Sequence, residues 1–176
     1  EIINFNKTIE LPPFSTEISI MFQFDFSLSS TENMFANCTE LISLNLCSFK
    51  INLAIFPNIT SMFEGNSQIT SIKLNGLITT KVRSFESLFN GCGRLTSIDI
   101  SMLNSSQVTS MENMFFRCNS LEKIKYGNLD THLVENMKYM FAQTNITSFD
   151  FSVFDISNVN NMEGFFSSCK ELENVQ

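Results

Sequence analysis

The chain has 176 residues, 43% of them apolar and only 16% charged, with nineteen Phe and no Trp. That composition can bury a core and excludes a disordered chain. A formal charge of −7 offers no basic patch for a phosphate backbone, so nucleic acid is not expected as a partner. No apolar run approaches the roughly 20 residues of a spanning helix, so this segment is not expected to enter a membrane.

In chain order, residues 1–20 with Pro12-Pro13 fit no repeating pattern and read as an N-terminal cap. Phe24-Asp25-Phe26 reads as a shortened first repeat, and residues 21–176 as a tandem array. The array is anchored on one recurring phenylalanine: Phe35, Phe63, Phe89, Phe115, Phe141 and Phe166, at spacings of 28, 26, 26, 26 and 25 residues. Seven residues earlier sit Leu28, Phe56, Val82, Val108, Val134 and Val159; four earlier, Thr31, Ile59, Phe85, Met111, Met137 and Met162. Three residues after the anchor come Cys38, Asn66, Cys92, Cys118, Thr144 and Cys169. This i, i+3, i+6, i+7, i+10 series fills a stripe of about 120° on a helix, which predicts a three-turn helix in each copy. Thr80, Ser106 and Ser157 fit its N-cap, Pro57 its first turn, and Gly91-Cys92-Gly93 its end.

Each helix is followed by a strand pattern. Leu41-x-x-Leu44-x-Leu46 returns as Ile69/Ile72/Leu74, Leu95/Ile98/Ile100, Leu121/Ile124/Tyr126 and Ile146/Phe149/Phe151, and Leu172-x-x-Val175 restarts it. A further apolar residue (Phe49, Leu77, Leu103, Leu129, Phe154) turns the chain back. The fold expected is an α/β, leucine-rich-repeat-like β/α solenoid of about six repeats of 25–28 residues. Stacked strands need about 4.8 Å and packed helices about 8–10 Å. The array is therefore expected to curve, with parallel strands on the concave face and helices on the convex face.

The string Met-Phe-x-x-Cys-x-x-Leu-x-x-Ile-x-Ile resembles BspA-type leucine-rich-repeat surface proteins. It is closer still to the variant found in mycoplasma lipoproteins and other surface proteins, best matched by Val108 to Leu121. The passage Phe149 to Met162 is similar to that family's strand-to-helix passage. The resemblance covers roughly residues 24–176 and implies a cell-surface or extracellular location with adhesion or matrix-binding roles. It names no partner, because the shared residues are the buried ones.

Chemistry-bearing residues have structural readings. Four cysteines fall on one buried repeat position and read as thiols too far apart for disulfides, while Cys47 is off-register and reads as exposed. His132 takes the place of a Ser/Thr cap and reads as a turn residue. No nucleophile–base pair, paired carboxylates, metal-ligand spacing or phosphate loop emerges, so no enzyme, metal or cofactor is expected. The candidate binding surface is the outward face of the strands. One column carries Ser71, Ser97, Lys123 and Ser148; the next carries Lys73, Asp99, Lys125 and Asp150, a ladder of alternating charge. An extracellular protein or glycan docking there is the favoured expectation, and a spacer or stalk displaying another domain is the alternative.

Overall fold

The computed structural model describes residues 31–46, 51–52 and 58–176. The expected cap (1–20), the shortened first repeat and Cys47 lie outside the described residues. Among the described residues there are eight short strands: β1 Ser43–Asn45, β2 Ile51–Asn52, β3 Ser71–Lys73, β4 Leu77–Ile78, β5 Ser97–Asp99, β6 Lys123–Lys125, β7 Ser148–Phe149 and β8 Asn174–Val175. All pairings are parallel and join equivalent positions of adjacent copies: β1 with β3, β2 with β4, β5 with β6, β7 with β8. The strand positions expected from the apolar triplets therefore hold. Leu44, Ile72, Ile98 and Phe149 point inward, whereas Ile124 is half-buried and Val175, expected to face inward, is exposed in the last copy.

The helices expected on the convex face do not form. Among the described residues there is no α-helix, only a three-residue 3-10 turn at Phe151–Val153. The reason is a repeated backbone conformation around the anchor. Two residues before it, Asn33, Ser61, Ser87, Asn113, Tyr139 and Gly164 all have φ between +51° and +61°. Two residues after it, Asn37, Gly65, Gly91, Arg117, Gln143 and Ser168 all have φ between +57° and +74°. A left-handed residue every fourth position is incompatible with a right-handed helix.

The hydrogen bonds that a helix would keep to itself are divided between two destinations. In the third copy, Phe85, Ser87, Phe89 and Gly91 donate their N–H groups to the carbonyls of Ser110, Glu112, Met114 and Phe116 in the fourth, at 2.9, 2.9, 3.0 and 2.8 Å. The intervening Leu88, Asn90 and Cys92 donate back to Phe85, Ser87 and Phe89 at 3.2, 3.1 and 3.1 Å, closing tight turns. The fourth and fifth copies repeat both sets. Parallel bridges Ser84–Ser110–Asn136–Asn161 mark the start of this second ladder.

Because alternate residues donate to the next copy, each anchor ring lies over the one before it. Phe35, Phe63, Phe89, Phe115 and Phe141 form an offset stack with centroids 5.9, 5.5, 5.5 and 5.5 Å apart and planes within 15° of parallel. Both sides of the array are thus spaced by backbone hydrogen bonding. The mismatch between strand and helix spacing, from which curvature was expected, is absent.

From the second copy to the sixth, the position three after the anchor supplies a donor to an anchor carbonyl. Asn66 Nδ2 donates to the carbonyl of Phe35 at 2.8 Å, Cys92 Sγ to that of Phe63 at 3.3 Å, Cys118 Sγ to that of Phe89 at 3.1 Å, and Cys169 Sγ to that of Phe141 at 3.0 Å. Thr144 donates to its own anchor carbonyl, Phe141, at 2.7 Å. Cys, Asn and Thr interchange here because the site needs a compact donor. The expectation that all four registered cysteines are buried is corrected: Cys92 and Cys118 are, Cys169 is half-buried, and Cys38, at the first described copy, is exposed.

Three measurements test this account. The far-UV circular dichroism spectrum should lack the double minimum of α-helix. Phe115→Ala should cost about 3–5 kcal/mol in urea unfolding, the range for an aromatic ring removed from a sealed core; a cost under about 1 kcal/mol would mean the stack is not the core. Asn66→Cys should be tolerated far better than Asn66→Leu, since the thiol keeps the donor and removes the buried, unpartnered Asn66 Oδ1.

Candidate functional site

The eight predicted binding residues, Ser71, Lys73, Ser97, Asp99, Lys123, Lys125, Ser148 and Asp150, are all exposed. Strand alternation places them on one side because their inward neighbours are apolar. Register brings Ser97 opposite Lys123 and Asp99 opposite Lys125, while Ser71 and Lys73 pair with Ser43 and Asn45, and Ser148 with Asn174.

The charge ladder closes only one of its rungs. Lys125 Nζ donates to Asp99 Oδ2 at 2.8 Å. Asp150 instead accepts from the N–H of Ser152 at 2.8 Å and caps the 3-10 turn. Lys73 has no carboxylate within ion-pair distance among the described residues, and nor has Lys123. Asp99 also accepts from Ser101 N–H at 2.9 Å and Ser101 Oγ at 2.5 Å. Lys125 first, then Ser101, hold its carboxyl down at about 2. Both aspartates on this face therefore shape turns, leaving Lys73 and Lys123 as its uncommitted charges. A shallow groove at one edge runs between Thr39, Ile42, Thr70 and Arg94.

Turn chemistry of this kind recurs in columns that the helix reading hid. Asn104 accepts from Ser106 N–H and Oγ (3.2 and 2.8 Å), Asp130 from His132 N–H (3.1 Å), and Asp155 from Ser157 N–H and Oγ (3.0 and 2.6 Å). Ser106 and Ser157, expected as helix caps, are thus the closing residues of Asx turns. His132 sits in the same column, its Nδ1 2.6 Å from Asp130 Oδ1, as a turn residue. The buried hydroxyl is one residue earlier. Thr79 Oγ1 donates to the Asn104 carbonyl at 2.9 Å and accepts its N–H at 2.7 Å, and Thr131 does the same to Asp155 at 3.0 and 2.7 Å. The Asx spacing, an Asn or Asp two residues before Ser or Thr, was the signal in the sequence that points to these turns.

The face over the second ladder is chemically different. Arg117 lies 4.9 Å over the Phe116 ring, Phe116 is 6.0 Å from Tyr139, and Lys138 lies 5.3 Å over Tyr139. Glu163 accepts from Lys138 at 2.7 Å and from the Tyr139 hydroxyl at 2.9 Å. Tyr139 leans on Gly164, where any Cβ would collide with its ring. Aromatic and arginine side chains missing from the strand face are therefore here, already partnered with one another.

The same face carries Glu64, Glu86 and Glu112. Glu64 accepts from Asn90 at 2.9 Å and Glu112 from Asn136 at 2.7 Å. Burial, then the Glu112 and Glu64 carboxylates, push the Glu86 carboxyl up from its usual range. Among the described residues, no three His, Cys, Asp or Glu side chains are grouped to hold a metal ion, and no helix is long and apolar enough to cross a membrane.

A family model described as "Mycoplasma protein of unknown function, DUF285" matches residues 57–175. The chain belongs to this family. The matched range takes in the anchors Phe63 to Phe166. A search of the curated proteins found no match, and a search of the solved structures found none.

Two outcomes follow from the ionisable groups. Glu86 has a raised folded-state pKa, so its charged form is disfavoured by folding and stability is gained as pH falls toward 4.5. Glu86→Gln should raise the melting temperature at pH 7, with the advantage shrinking as pH approaches 4.5; a constant difference would rule out carboxylate repulsion as the cause. The thiols should separate by reactivity. Burial pushes Cys92 up to about 12 and Cys118 well above the usual value. Iodoacetamide should therefore modify exposed Cys38 in the native protein but reach Cys92 and Cys118 only after denaturation.

Proposed function

We propose that this chain is a non-enzymatic recognition module, a leucine-rich-repeat-like solenoid related to the BspA-type surface proteins, which works at the cell surface by contacting an extracellular protein or glycan. The observation that carries this reading is the division of labour within each copy. The residues that define the repeat are consumed by the core and the ladders, while the eight candidate strand-face residues are all exposed, with serine recurring in one column and lysine alternating with aspartate in the other. A rigid backbone presenting small, polar and charged side chains suits broad, low-affinity or multivalent contact.

The side chains with catalytic potential are engaged elsewhere, which supports the non-enzymatic reading. His132 Nδ1 is held by Asp130, and the buried thiols are donors to anchor carbonyls. The resemblance to mycoplasma lipoproteins supports surface display. A spacer or stalk is the second reading, favoured by the uninterrupted phenylalanine stack, which would make a stiff connector.

Lys73→Glu with Lys123→Glu is the most informative substitution, since neither ammonium group holds a turn or an ion pair among the described residues. Binding of the purified chain to immobilised extracellular-matrix proteins and a glycan array should be detectable and should fall at least several-fold in the double variant, with the melting temperature unchanged. Binding that survives the double substitution would move the site off the strand face. No binding across either panel would favour the spacer.

A further inference from the structure

We draw no further inference here: the strongest candidate, the open edge of the sixth copy, where half-buried Val159, Phe166 and Leu172 lie beside exposed Val175, is an unpartnered face, and nothing in the structure shows what covers it.

Discussion

The structure depends on one backbone arrangement: at the anchor segment, every second N–H group is given to the next copy instead of to the same copy. An N–H that points along the array cannot also serve a carbonyl four residues back, so this choice excludes a helix. It also requires the chain to reverse its local twist repeatedly, which is what the two left-handed residues per copy accomplish. The cost is real, since a left-handed residue other than glycine is strained by about 1–3 kcal/mol. It is offset by the hydrogen bonds given to the neighbouring copy and by a phenylalanine ring sealed against its equivalents on both sides. Asn and Gly occupy six of the twelve left-handed anchor positions, where the strain is least; Tyr139 and Arg117 are the bulky exceptions.

The ladder has a direction. From the first copy through the fifth, anchor-segment donors face the following copy and acceptors face the preceding one. Neighbouring copies are therefore joined by complementary edges, and a one-residue slip would place donors against turn-closing groups. Side chains reinforce the register wherever the backbone bends away. Thr79 and Thr131 bridge to both backbone groups of a residue in the next copy, and the thiols and Asn66 bridge back to the previous anchor carbonyl. Buried polar residues here mark the register between copies. Their burial is tolerable because nearly all of them are satisfied; Asn66 Oδ1 is the exception among the described residues.

The two outward faces then differ by what the turns require of them. On the strand face, aspartates are drawn into Asx turns and the ladder of charge reduces to Lys125–Asp99. On the opposite ladder, long side chains lie flat over neighbouring copies, so that Phe116, Tyr139, Arg117 and Lys138 cover one another. Exposed ion pairs of this kind contribute little to stability. What they supply is a surface pattern that belongs to this chain and not to the repeat.

The sequence by itself determined the repeat, its six anchors, the inward strand residues and the columns of side chains that share a face. These follow from apolar periodicity, which reports burial whatever the backbone does between buried positions. It also placed all eight strand-face candidates correctly as exposed. Only the tertiary structure decided the backbone of the anchor segment. Val108, Met111, Met114, Phe115 and Cys118 satisfy the spacing of a helix stripe and equally that of a chain of tight turns, because both bring every third or fourth residue to the same side. What separates them is the destination of the N–H groups, and that partner lies 24–27 residues away in the next copy. Asn33, Asn37, Gly65, Gly91 and Asn113 carried a local hint of left-handed backbone. Ser61, Ser87, Arg117, Tyr139 and Gln143 carried none, because it is stacking on a neighbour, not their own propensity, that holds them there.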